Sequence, residues 1–316
     1  MAARADLSME PLLSICIPTY NRLEILVNTI DSIYADATPD MLNLFEVVVS
    51  DNSADHNCKP LERKYANYSN FHYYTTVCDG FLNSYYALSY GKGKYLKLHN
   101  NTALLKRKSL SHIIELINKN SQICPAIVFT DGYRLKGKVE CYHSFENFIY
   151  GASYFTSWST GFGMWKEDFD RIRGLKLNKF FPQTSLLVTQ KDKNSFVVDD
   201  YNLFITQNVP QKGGYNIFRV FSVDYLNIIK ELRDHQDISE NCYEYIRKAL
   251  LYKFLSVRYF KTVIARMDKF DHSDIKGSIL VNYTYWDYIK FISASLWGPF
   301  RYIVRELYKR QFTQLK

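Results

Sequence analysis

Short, wholly apolar runs alternate along the first part of the chain with segments whose apolar residues recur every three or four positions. Leu13-Ser-Ile-Cys-Ile17 is such a run and stops at Pro18; Phe45-Glu-Val-Val-Val49 is another and opens into the polar loop Ser50-Asp51-Asn52-Ser53. Between them Leu23, Leu26, Val27, Ile30 and Ile33 keep helical spacing, with Asn21 placed to cap the helix. This is a β-α-β unit. Strands that are apolar throughout rather than alternating belong to a parallel sheet covered by helices on both faces. The pattern continues with a strand at Phe71–Thr75, a helix over Asn83–Tyr90 closed by Gly91 and Gly93, a strand at Tyr95–Leu98, a helix over Leu110–Ile117 and a strand at Ala126–Thr130. Alternation on the Tyr95–Leu98 strand turns Lys97 outward.

From about residue 132 the chain is irregular and aromatic, with a helix after Trp165 and a turn at Gly213-Gly214; from about residue 224 it is helical by periodicity. The expected organisation is an α/β domain over 11–223, divided into halves at 11–131 and 132–223, followed by a helical region over 224–316.

Composition narrows the class only modestly. The 316 residues are 47% hydrophobic and 23% charged, values of an ordinary globular protein rather than a disordered or fibrous one. A formal charge of +8 suits an anionic partner such as a nucleoside diphosphate or a phospholipid surface; no nucleic-acid-binding module accompanies it, so a nucleic acid is not expected. The 16% aromatic content fits sugar stacking, core packing and a membrane interface equally. Six cysteines without a C-x-x-C pair read as reduced thiols. With no apolar signal-peptide segment at the N-terminus and no long apolar run, a cytoplasmic location is expected.

In a parallel sheet of this kind ligands sit beyond the C-terminal ends of the strands, where Pro18–Arg22 and Ser50–Ser53 fall. The segments Ser14-Ile-Cys-Ile-Pro-Thr-Tyr-Asn-Arg22, Val47-Val-Val-Ser-Asp-Asn-Ser-Ala-Asp55, Asp79-Gly-Phe-Leu-Asn83 and Gly93-Lys-Tyr-Leu96 together resemble the ordered motifs of family 2 glycosyltransferases, which have the GT-A fold. Ser159-Thr-Gly-Phe-Gly163 and Gly213-Gly-Tyr-Asn216 carry a weaker resemblance to O-antigen transferases of the abequosyltransferase kind. The resemblance implies a Rossmann-like, mostly parallel sheet flanked by helices, with a nucleoside diphosphate sugar bound by Pro18, Thr19, Tyr20, Arg22, Asp51 and Asn83. It further implies a glycan or polyprenyl-linked glycan acceptor in surface polysaccharide assembly, O-antigen or capsule.

One departure stands out. Where the family has Asp-x-Asp after the fourth strand, this chain reads His99-Asn-Asn-Thr102, with Asn100 and Thr102 at the two acidic positions. Neutral oxygens are weak ligands for a hard cation, so Mg²⁺ or Mn²⁺ is expected to bind weakly, with Thr102 as a poor ligand beside Asn100, or not to be required. His99, Asn100 and Asn101 are then expected to face the donor diphosphate, with Lys97, Lys106, Arg107 and Lys108 adding positive charge, although the last three equally suit a solvated helix start. The family's catalytic acid is also missing from Phe180-Phe-Pro-Gln-Thr-Ser185. Asp131 is the leading candidate base, with Asp199 and Asp200 as others by residue type, while Glu167 and Asp168 suit the first turn of a helix. Trp158, Ser159 and Thr160 are candidate acceptor contacts, or a packed turn. A stripe from Trp286 through Leu307, accompanied by basic residues, fits either a helix on an anionic membrane surface or one packed on protein. A catalytically silent scaffold that binds nucleotide or glycan is the competing reading.

Overall fold

The computed structural model describes residues 10–209 and 212–297. They divide into two compact units, one running to Asn208 and the other starting at Val209. The division precedes the boundary expected at residue 223. Its reason is a strand where the sequence suggested a turn: Gly213–Asn216 pairs in parallel with Lys269–Asp271 and so belongs to the second unit.

The first unit is built on a five-stranded sheet. Its strands are β1 (Leu13–Thr19), β2 (Phe45–Asp51), β3 (Phe71–Thr75), β4 (Tyr95–Leu98) and, later in the chain, Gly163–Trp165. The order is β3-β2-β1-β4 followed by the Gly163–Trp165 strand, all parallel except that last one. Helix α1 (Leu23–Asp36) connects β1 to β2 and buries Leu26, Ile30 and Ile33 against Ile15, Ile17, Val47 and Val49. A further helix, α2 (Asn83–Tyr90), leads into β4. Ala103–Leu105 and Phe204–Thr206 form an antiparallel ribbon, and Ala126–Phe129, Phe196–Asp199 and Val139–Tyr142 form a three-stranded sheet whose first two members are parallel.

These apolar strands and helices share one core that also holds Tyr95, Phe129, Trp165 and Phe204. Glu46, near the start of β2, is a polar residue within this apolar layer. It is 2% exposed, and its carboxylate accepts from Ser14 Oγ (2.6 Å) and Gly93 N–H (3.2 Å), with His72 Nε2 at 3.3 Å. Buried polar groups are tolerable only when paired in this way. The turn at Gly91–Gly93 does not use a left-handed backbone: Gly91 has φ −66°. Gly93 is required for closeness, because a Cβ there would lie 2.8 Å from the backbone of Leu13 and Ser14.

The second unit is mainly helical, over 217–234, 240–264, 275–280 and 285–296. Within it Arg247 joins Glu244, Asp287 and the Asn282 carbonyl. The expected stripe residues beyond Trp297, including Phe300, Ile303, Val304 and Leu307, lie outside the described residues.

Gly93→Ala should destabilise the protein by about 1–3 kcal/mol, the usual cost of forcing atoms into a packed core. Urea unfolding would measure it, and a change under about 0.5 kcal/mol, the scale of a neutral surface substitution, would show that the β1–β4 approach relaxes freely.

Candidate active site

The C-terminal ends of β1, β2 and β4 meet on one side of the sheet, and a layer of hydrogen-bonded polar residues closes the strand ends there. Thr19 lies opposite Asp51, and Asp51 opposite Thr75. Asn83, at the first residue of α2, donates from Nδ2 to the carbonyls of Thr19 (3.1 Å) and Ser50 (2.9 Å) and accepts from Ser50 Oγ (2.6 Å). It is 4% exposed. These bonds brace the ends of β1 and β2 against each other.

Asp51 is likewise enclosed. Its carboxylate accepts from Ser53 N–H (2.9 Å), Ser53 Oγ, Cys58 N–H (3.3 Å) and Tyr73 Oη (2.7 Å), and the residue has no exposed surface. Burial first, and the Asp51 carboxylate second, push the Tyr73 phenol well above its ordinary range, so it remains the donor. Asp51 shapes the 50–58 loop from below.

Pro18 is half-buried, Thr19 buried and Tyr20 57% exposed, so the loop after β1 presents Tyr20 most openly. Asn21 is not the helix cap expected from its type. It has φ 50°, a left-handed conformation that asparagine tolerates, and accepts from Asn57 Nδ2, while Arg22 occupies the cap position of α1. Arg22 Nη1 lies 3.4 Å from Asn101 Oδ1, and Asn101 Nδ2 donates to Thr19 Oγ1 at 2.9 Å. A guanidinium, an amide and a hydroxyl thus connect the β1 loop to the loop after β4.

That second loop contains the altered acid motif. Asn100 is half-buried and its N–H donates to Thr160 Oγ1 (3.1 Å); Thr102 is 7% exposed and its carbonyl accepts from Gln207 N–H (2.8 Å). The donor set does not suit a divalent cation: two neutral side chains stand at the acidic positions, and the intervening Asn101 already holds Arg22 and Thr19. Among the described residues, no three His, Cys, Asp or Glu side chains gather into a cation site.

His99 and Lys97 depart from expectation. His99 is 1% exposed, its Nε2 lies 2.6 Å from the Ala103 carbonyl, and its ring packs on Phe204. Burial, reinforced by Lys97, lowers its pKa to about 3, so it is a neutral Nε2–H donor and brings no positive charge to a diphosphate. Lys97, expected outward, is 1% exposed because β4 is covered on both faces. Its Nζ donates to Thr160 O (2.6 Å) and Leu98 O (3.3 Å) and lies over the rings of Phe129 and Phe204. Burial lowers its pKa to about 7, against the opposing pull of Asp199 and Asp131. Nothing in the hydrophobic pattern marked this lysine as internal.

Thr160 is fully buried, its hydroxyl engaged by Asn100 and its carbonyl by Lys97, so it joins the 158–161 segment to the motif loop rather than presenting a hydroxyl to solvent. Ser159 and Trp158 are half-buried, and Trp158 packs edge-on against Phe155 and Phe204. Asp199 pairs with His112 at 2.6 Å and accepts from Tyr201 N–H; Asp200 gathers Thr130 Oγ1 and the N–H groups of Arg134, Leu135 and Gly137. Both are fully buried. Asp131 is half-buried, has φ 54°, and receives Leu203 and Phe204 N–H groups on Oδ1 alone; burial raises its pKa. Lys106 reaches Asn202, and Glu167 and Asp168 occupy the first turn of Lys166–Arg171.

In open α/β sheets of this kind ligands bind beyond the C-terminal ends of the parallel strands, where these polar loops lie. The family model described as Glycosyl transferase family 2 matches residues 14–173, just over half of the 316-residue chain. The chain belongs to that family and is a glycosyltransferase. Among solved structures, S. aureus TarS 1-349 in complex with UDP-GlcNAc is similar at TM-score 0.54 and 17% identity, over 90% of this chain and 81% of that one. The mannosyltransferase PcManGT from Pyrobaculum calidifontis, in complex with GDP-Man and Mn²⁺, is similar at TM-score 0.50 and 13% identity, over 92% and 87%. These likenesses concern the fold. No curated protein matches the sequence.

Asn83→Ala should cost about 1–3 kcal/mol, since it removes a donor from two buried carbonyls. Proton linkage gives a second expectation. The lowered His99 pKa makes stability fall as pH drops from 6.5 towards about 3, and the lowered Lys97 pKa makes stability rise as pH increases from about 7 towards 10.5. Lys97→Met should flatten the alkaline slope in urea titrations; an unchanged slope would mean that Lys97 titrates as a solvated amine.

Proposed function

We propose that this enzyme moves a sugar from a nucleoside diphosphate donor to a glycan or lipid-linked glycan acceptor in surface polysaccharide assembly, and that no divalent cation is required at the altered acid motif. The observation that carries the metal-free reading is the contact of Arg22 with Asn101, the residue between the two neutralised acidic positions. A fixed guanidinium can pair bidentately with diphosphate oxygens and stabilise charge that grows as the nucleotide departs. Arg22 also stands at the N-terminus of α1, a 14-residue helix whose dipole favours an anion at that end. The donor class is supported by family membership, and by TarS and PcManGT having been crystallised with UDP-GlcNAc and GDP-Man.

For the base that deprotonates the acceptor hydroxyl we favour Asp131. Asp199 and Asp200 are buried with protein donors on their carboxylates, whereas Asp131 is half-buried and receives the Leu203 and Phe204 N–H groups on one oxygen. Burial raises its pKa, and a raised pKa makes a carboxylate a stronger base. Trp158 and Ser159 are the acceptor-side residues with surface to offer. The silent-scaffold reading is favoured by the same neutral motif, and turnover decides between the two.

With the cognate donor, activity should persist unchanged in excess EDTA, and Arg22→Ala should lower kcat/KM by roughly 10²–10³, the usual effect of removing a transition-state donor. Strict dependence on Mn²⁺ would overturn the metal-free reading, and donor binding without hydrolysis or transfer would favour the scaffold. Asp131→Asn keeps an oxygen for the two backbone N–H groups, so it should fold normally and lose about 10²–10⁴ in kcat. Full activity in that variant would remove Asp131 as the base.

A further inference from the structure

Within the second unit, the helix Tyr285–Leu296 buries one side and exposes the other. Phe291 and Ser295 have no exposed surface, and Asp287 is drawn towards Arg247 (3.2 Å) and Tyr252 (3.0 Å). The opposite arc carries Tyr285 at 57%, Trp286 at 70%, Ile289 at 37% and Leu296 at 61% exposure, with Trp297 at 61% just beyond the helix end. At 100° per residue these positions fall within about 120° of one another. The remaining exposed positions on the arc are Lys290 and Ser293, so it holds no acid; Lys276 adds its ammonium over the Tyr285 ring at 5.3 Å.

Exposing two indoles, a phenol and two aliphatic side chains on one short helix is costly in water. Indole and phenol rings suit the boundary between headgroups and acyl chains, where the ring is dehydrated and its polar edge stays wet. Charge selects the surface. The sequence that follows, residues 298–316, carries Arg301, Arg305, Lys309, Arg310 and Lys316 against Glu306 alone. Pairing two copies through this face would bring those basic segments together, whereas an anionic bilayer would attract them. No helix among the described residues is long and apolar enough to cross a membrane, so the contact would be peripheral.

We propose that the Tyr285–Trp297 face is a docking surface for an anionic phospholipid bilayer, with Trp286 inserted at the headgroup level and Lys290 and Lys276 meeting the lipid charge. This goes beyond the transferase reading and does not depend on it.

Of the chain's four tryptophans Trp165 is buried and Trp158 half-buried, so a lipid-dependent change in emission reports mainly on Trp286 and Trp297. The full chain would be titrated with vesicles of phosphatidylcholine alone and with phosphatidylglycerol added, following emission, quenching by brominated acyl chains, and co-sedimentation. The proposal expects a blue shift and bromine quenching with anionic vesicles, at least about tenfold weaker binding to neutral ones, and weakening by salt. Trp286→Ser, at an exposed position, should reduce binding about tenfold with an unchanged thermal midpoint, and Ile289→Ser should reduce it in the same direction. Three results would overturn the proposal: no spectral response to anionic vesicles, equal binding by Trp286→Ser, or a lipid-independent blue shift that follows protein concentration together with a dimeric mass by light scattering. The last would assign the face to a second copy of the chain.

Discussion

The site depends on one constraint: polar groups at the ends of buried parallel strands must find partners within the protein. The ends of β1 and β2 carry Thr19, Ser50 and Asp51 below the accessible surface. Asn83 meets that demand with one amide, which reaches both strands, and Asp51 meets it by collecting four donors from the following loop and from β3. An unpaired group here would cost about as much as a lost core methyl cluster, on the order of 1–3 kcal/mol. Tyr20, Arg22 and Asn100, by contrast, keep exposed surface at these strand ends.

This layering separates family motif from direct contact. Asp51 and Asn83 sit within motif segments, yet their side chains hold the loops that carry other residues. For Asp51 the relay runs through Ser53, whose Oγ accepts the Asn21 N–H at 2.8 Å while donating to the Asp51 carboxylate. The chain from Asp51 to Ser53 to Asn21 ends next to Arg22, so the buried carboxylate shapes the placement of the guanidinium without touching it.

Much of this architecture was legible because it follows from periodicity. The β1-α1-β2 unit, β3, α2 and β4 appear where apolar runs and helical spacing place them, since burial on both faces of a parallel sheet leaves a direct mark on composition. The fates of individual polar residues were not legible. Lys97 looks like an outward residue on a short strand, but the rings of Phe129 and Phe204 cover it and its amine turns to the Thr160 and Leu98 carbonyls. His99 looks like a ligand beside the altered motif, but it is the hydrogen-bonded floor beneath Ala103. Gly213-Gly214 looks like a turn, but Gly213 is needed because a Cβ would collide with the Lys269 backbone of the neighbouring strand. Each case turns on a partner more than fifty residues away or on local packing, which residue type does not encode.

The same layering bears on what restoring the acidic motif would do. Returning Thr102 to aspartate would place a carboxylate at a position only 7% exposed, where its ionised form loses hydration. A carboxylate at Asn100 would lie beside Asn101 and its bound Arg22, and an ion pair with the guanidinium would compete with cation binding. Two acids alone would then meet a desolvated position at Thr102 and a competing guanidinium beside Asn100, so the Arg22–Asn101–Thr19 linkage would have to yield as well.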